Sequence, residues 1–412
     1  MSLKWPREIS LGNWIHTLLR STEYLKLDGD GSYNLNLTQV QNIKTFDFRE
    51  CSTVKKLVST TSIDWMFGVF PVLEFLKLKN LPNLEEICNG PIQAGSNSFN
   101  NLKVLEILDL AALMYLWNSQ NQNVSLSNLT SINIHCCDKL RTLFPLKMAK
   151  DGLSQLKELK IWSCEMMEEV FSNDGGGHIT FPKLKILRLG SLPNLTTFCK
   201  GIESIEFSLL TELRIGHCQK LTSFVSTTGN NPRLAGHSDD SLHWFCNQKV
   251  TFGSLKELRI GGCENISNLW CHQIPPGFFS KLETLDIRRY ANIRSLFSSS
   301  IVANLVNLKH LNISFCNEMV KVIENHKQNA CENTPFFPSL ETITIDSLSN
   351  LVNFCGWRCA LQLPSLWRVL ISDCPCMESF TMGPLTTPYL NSIDSQNEGN
   401  IWQLEEALYW RI

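Results

Sequence analysis

The chain has 412 residues, 43% of them hydrophobic, and a formal net charge of −2. That balance gives no argument for a nucleic-acid or anionic-membrane partner, and the longest apolar runs fall far short of a membrane span. Sixteen cysteines could suggest a disulfide framework, but seven of them share one repeat position.

Residues 1–20 contain no clean repeat unit and lack the apolar core and cleavage site of a signal peptide, so an irregular lead-in is expected there. From 21 to 385 a single pattern returns in about thirteen units, most of them about 26 to 30 residues apart. Residues 153–171 show it most clearly, as L-S-Q-L-K-E-L-K-I-W-S-C-E-M-M-E-E-V-F. Only the L-x-x-L-x-L core alternates, which predicts one short strand with Leu159 and Ile161 pointing inward. Beyond it, apolar residues fall three apart with proline and asparagine interspersed, as in L-P-N-L-E-E-I (81–87). That spacing predicts extended or 3-10 returns and few short helices.

Two further apolar ladders accompany the strands. One contains Phe70, Phe99, Phe181, Phe207, Phe252 and Phe279, and the other Leu116, Val170, Phe198, Phe224 and Leu296. A single unit cannot bury three rows, but stacked units can, with parallel strands about 4.8 Å apart. The expectation is therefore an α/β repeat solenoid of horseshoe type with its parallel sheet on the concave face. Gly-, Asn- and Ser-rich sequence at 226–251 reads as an inserted loop, and residues 386–412 as a C-terminal cap whose 401–410 segment forms a short amphipathic helix.

Seven cysteines share one repeat position: Cys51, Cys137, Cys164, Cys218, Cys263, Cys316 and Cys374. Sister units place Leu81, Leu110, Leu192 and Leu348 there, so these thiols read as small buried hydrophobes, reduced and suited to the cytoplasm or nucleus.

The outward strand positions carry the candidate binding chemistry. Lys160, Arg188, Arg214 and Arg259 fall at one position of four consecutive units, flanked by Trp162, His135 and Arg288. Glu158, Glu212 and Glu257 lie two residues before three of these cations. Two readings follow: a solvated face of cross-strand ion pairs, or a docking strip for an acidic partner with Trp162 as an aromatic anchor. Gly190, Gly216 and Gly261 are expected to leave a shallow floor beside the row. Towards the N-terminus, Tyr24, Phe75, Val104 and Leu108 make the face more apolar.

No catalytic constellation emerges. The histidines are scattered and no serine sits in a nucleophile setting, so no enzyme and no cofactor are expected. His217-Cys218, Cys271-His272, Cys355-x-x-x-Cys359 and Cys374-Pro-Cys376 each lack a second ligand pair at metal spacing, so no metal site is expected either.

The unit F-x-x-L-x-x-L-x-I-x-x-C resembles a leucine-rich repeat. F-P-K-L-K-I-L-R-L-G-S-L-P-N-L (181–195), residues 140–170 and L-L-R-S-T-E-Y-L-K-L-D-G (18–29) resemble the C-terminal repeats of plant coiled-coil nucleotide-binding leucine-rich-repeat (NB-LRR) disease-resistance proteins. The resemblance implies protein recognition in innate immunity: sensing a pathogen effector, or a guarded host protein that the effector alters. It also implies contact with the receptor's own nucleotide-binding (NB-ARC) module. No G-x-x-x-x-G-K-[ST] loop is present, so the chain reads as a receptor's tail or a truncated relative. The alternative is a stand-alone repeat adaptor such as a ubiquitin-ligase substrate receptor, which would bring I-T-D-x-G-L returns that this sequence lacks.

Overall fold

The computed structural model describes residues 2–4, 14–29, 41–59, 70–89, 97–117, 124–172, 177–226, 244–246, 249–266, 268–270, 277–324, 337–356 and 360–395. Most of the 226–251 insertion and the whole 401–410 segment lie outside them. The chain divides into two compact units, the first comprising Met1–Ser208 with Val225–Gly229 and the second Leu209–Phe224 with Asn230–Ile412.

Unit 1 is a parallel β-solenoid. Its front strands are β1 (Ser2–Lys4), β2 (Tyr24–Asp28), β3 (Thr45–Arg49), β4 (Phe75–Lys79), β5 (Val104–Leu108), β6 (Ser131–His135), β7 (Glu158–Trp162) and β8 (Ile186–Gly190). Each pairs in parallel with the next, residue for residue, so that Lys160 faces Asn133 on one side and Arg188 on the other. The lead-in supplies β1, which pairs with β2, and a helix, α1 (Trp14–Arg20). Unit 2 repeats the plan with β9 (Glu212–Gly216), β10 (Glu257–Gly261), β11 (Thr284–Arg288), β12 (His310–Ser314), β13 (Thr342–Asp346), β14 (Arg368–Ser372) and β15 (Ser392–Ser395).

The alternation seen in the sequence sets the faces. In β7, Leu159 and Ile161 are fully buried while Glu158, Lys160 and Trp162 point outward. Burying one such leucine contributes roughly 1.5–3 kcal/mol, and the gain recurs in every coil. After each strand the chain must turn sharply inward, and a residue in the left-handed region makes the turn. In unit 1 these are Glu50, Asn80, Asp109, Cys136, Ser163 and Ser191, with φ between 49° and 61°. The N–H groups of the first five donate to the last carbonyl of the following strand, as Asp109 does to His135 (2.9 Å) and Ser163 to Gly190 (3.0 Å). His217, Gly262, Arg289, Phe315 and Ser347 do the same in unit 2.

The leucine-or-cysteine position comes next and is buried throughout both units. The thiols do more than fill space. Cys137 and Cys164 in unit 1, and Cys218, Cys263, Cys316 and Cys374 in unit 2, each donate to the carbonyl two residues back, at 3.2 to 3.7 Å. A leucine there offers no such donor.

The returns are extended and tight, as the spacing predicts. Backbone bonds three residues apart close them, for example Leu84 N–H to Leu81 and Leu195 N–H to Leu192. Short parallel return strands line the opposite side, including Glu86–Asn89 paired with Tyr115–Trp117, and Glu169–Ser172 with Thr197–Lys200. The other described helices are α2 (Leu146–Gly152) and α3 (Ser299–Val302). Among the described residues, no helix is long and apolar enough to cross a membrane.

Aromatic rings stack along each interior. Phe46, Phe70, Phe99, Trp117, Phe144, Phe171, Phe181 and Phe207 form a continuous series in unit 1, with successive centroids 5.4 to 6.4 Å apart. Phe252, Phe279, Trp270, Phe297 and Phe337 continue the device in unit 2. Asparagine amides tie neighbouring coils at the rim: Asn101 Nδ2 donates to Pro71 O (2.8 Å) and Asn128 Nδ2 to Asn100 O (2.7 Å).

Candidate recognition surface

The first, third and fifth residues of each front strand lie on its outward face, most of them at least partly exposed, though Asp47, Gly190, Asp286 and Ser372 at such positions are buried. The six residues singled out in the sequence all lie on front strands. Lys160, Trp162 and Arg188 belong to unit 1; Arg214, Arg259 and Arg288 belong to unit 2.

On unit 1, Lys160 Nζ lies 2.8 Å from Glu158 on its own strand, and Arg188 stands opposite Lys160 on β8. Trp162 is half-buried because its ring lies flat over Gly190. A Cβ at Gly190 would come within 2.0 Å of the ring carbons, so the glycine seats the indole instead of forming an open floor. Further along the sheet, Lys77 and Glu106 pair across β4 and β5, and exposed Tyr24 and Phe75 stand at the first positions of β2 and β4.

On unit 2 the cations and carboxylates form a continuous ladder. Arg214 contacts Glu212 (2.7 Å) and Glu257 (2.9 Å). Arg259 reaches Glu257 (2.6 Å) and stands 3.9 Å from Asp286. Arg288 grips Asp286 with two bonds, of 2.7 and 2.8 Å. The face is ion-paired, and it still presents guanidinium groups to solvent. Gly216 leaves open space above the sheet, whereas Gly261 lies tight against the Arg288 backbone.

Asp286 is the ladder's anchor. Its side chain is 4% exposed, while that of Arg288 is 60% exposed. The bidentate bond raises the Arg288 pKa, and partial desolvation opposes it. Most exposed pairs contribute under about 1 kcal/mol, but a buried carboxylate held by two charge-assisted bonds has more at stake. Unit 1 holds the same device in β3, where Arg49 binds Asp47 with two 2.6 Å bonds. The cation-first reading of the sequence missed both aspartates. Their signal is the shared strand wording T-F-D-F-R at 45–49 and T-L-D-I-R at 284–288.

Comparison with known proteins places this surface in context. The family described as "Plant disease resistance protein RPS2-like, leucine-rich repeats" matches at residues 93–165, 150–231 and 254–382, well over half of the chain. The chain belongs to that family. One curated relative of these resistance-protein repeats is "Probable disease resistance protein At4g27220" from Arabidopsis thaliana, 24% identical over 173 residues. The match covers 41% of this chain and 16% of that relative, so the resistance-protein repeats described here span a minor part of its length. The parallel solenoid, its buried leucines and its outward strand face are accordingly those of a disease-resistance leucine-rich-repeat region, a family associated with recognition in plant immunity.

Proposed function

We propose that the chain is the protein-recognition region of an NB-LRR immune receptor acting in the plant cytoplasm. Its partner would be a pathogen effector, or a host protein that an effector has modified. The observation that carries this reading is the arginine ladder of unit 2, above all Arg288, which a buried carboxylate fixes while most of its guanidinium stays in solvent. A cation oriented before encounter gives up little rotamer freedom on docking, and its planar fork suits partner carboxylates. On unit 1, Lys160 and Arg188 beside Trp162 offer a second cationic patch with an aromatic anchor. The apolar region around Tyr24 and Phe75 suits contact with the receptor's own nucleotide-binding module. Catalysis has no part in this reading.

The test is proximity labelling in leaf cells, comparing the tagged wild-type chain with an Arg214→Gln, Arg259→Gln variant. Enrichment of an acidic partner should fall about tenfold, the equivalent of about 1.4 kcal/mol, and should also fall with added salt. Equal enrichment by a variant whose melting temperature is unchanged would remove the ladder from the recognition surface.

A further inference from the structure

A different group of side chains converges where β5 and β6 end in unit 1. Asp109 and Cys136 are the left-handed residues that follow these two strands, with φ of 61° and 53°. Equivalent turns on adjacent coils bring their side chains out beside each other. Between them stands His135, the last residue of β6, in register with Leu108. Its carbonyl is fastened from two sides, by the N–H of Asp109 (2.9 Å) and the thiol of Cys137 (3.6 Å). The N–H of Cys136 is held by Trp162 O at 3.1 Å. All three residues therefore sit on backbone that the solenoid has already fixed.

Asp109 Oδ1 lies 3.9 Å from His135 Nδ1, and Cys136 Sγ lies 3.9 Å from His135 Nε2. One ligand atom from each residue falls within 4.8 Å of the others, the only such group of three found among the described residues. One ion takes one ring nitrogen, so the three ligand atoms must close from within 4.8 Å of one another to the about 3.3–3.8 Å that separates ligands around a tetrahedral ion at about 2.0–2.3 Å, a movement open to side chains at the surface. The imidazole and carboxylate stand too far apart to share a proton, and close enough to share a metal. Asp138 adds a further negative charge nearby.

We propose that Asp109, His135 and Cys136 form an open binding site for a borderline-soft divalent cation of the zinc class. A thiolate and an imidazole disfavour magnesium and calcium, which take oxygen ligands, and the mixed S, N, O set suits zinc. Three protein ligands leave the fourth position open, and the exposure of Asp109 and His135 provides the entry path. Spacing along the chain hides the site, because Asp109 comes from the preceding coil and only the left-handed turns bring it to the His-Cys pair.

The probe is Co²⁺, titrated into the reduced, metal-free full chain and followed by thiolate-to-cobalt charge-transfer absorption. The expected result is a band that saturates at one equivalent and is displaced by Zn²⁺. Cys136→Ser should abolish it, and His135→Ala or Asp109→Asn should weaken binding at least about tenfold, since loss of even an outer partner of a metal ligand costs that much. Cys376→Ser, which removes an exposed thiol elsewhere, should leave the band unchanged. No band at saturating Co²⁺, or a band that survives Cys136→Ser, overturns the proposal. All three ligands are at least partly exposed, so circular dichroism should show the variants folded.

Discussion

Asp286 and Arg288 show how burial decides which half of an ion pair the fold can lose. Removing Arg288 takes both close bonds from a carboxylate that is 4% exposed and leaves it facing Arg259 at 3.9 Å, whereas removing Asp286 leaves a guanidinium that already reaches water. Arg288→Ala should therefore cost about 3 kcal/mol and Asp286→Ala about 1 kcal/mol, read from urea unfolding midpoints. The reverse order would mean that Asp286 is hydrated in solution. Gly190 makes a similar point without charge. An alanine there collides with the Trp162 ring, which is the far end of a side chain and can swing outward. Gly190→Ala should expose the indole and red-shift its fluorescence, while the same change in a Trp162→Phe background should produce no shift. Neither Asp286 nor the seat beneath Trp162 is legible from spacing. A carboxylate in a strand reads as solvent-facing, and a glycine reads as empty floor, until a neighbouring strand supplies the atom that covers it.

At the scale of the coil, most of the architecture is written in the sequence. Apolar alternation fixes the strand, the three-residue spacing fixes the tight return, and the phenylalanine ladders mark the aromatic interior. What the pattern hides is hydrogen bonding between coils. The left-handed turn position is filled by Glu50, Asn80, Asp109, Cys136 and Ser163, residue types with no common signature, because the backbone N–H does the binding there. Asparagine amides at the rim are equally inconspicuous in a chain where asparagine is frequent. Asn128→Ala should cost about 1 kcal/mol, the net contribution of one such bond, measured as a lower chemical-denaturation midpoint at unchanged slope. An equally stable variant would show that water replaces the amide without loss.

Across the whole molecule, the buried thiols set an upper limit on working pH. Burial pushes Cys88, Cys199 and Cys263 up to about 12, and Cys316 and Cys374 up to about 11, from an ordinary value of 9.0. With folded values raised, the native state keeps protons that the unfolded chain releases. Stability is then complete below about pH 9 and falls as pH climbs towards 11 and 12, by roughly 1.4 kcal/mol per pH unit for each thiol held protonated. Cys263→Ala should reduce the slope of stability against pH above 9 by about one proton's worth, and an unchanged slope would exclude that thiol as a contributor. The rim asparagines bear on the chain's route through the cell. Asn128-Leu129-Thr130 and Asn194-Leu195-Thr196 are acceptor triplets for N-linked glycans. In the folded chain both amides and both hydroxyls are engaged: Asn128 with Asn100 O, Thr130 with Lys103 O, Asn194 with Glu165 O and Thr196 with Glu168 O. A sugar attached to either amide before folding would occupy the nitrogen that joins two coils. Passage through the secretory pathway should therefore yield glycosylated, poorly folded material, and recombinant production calls for a cytosolic host.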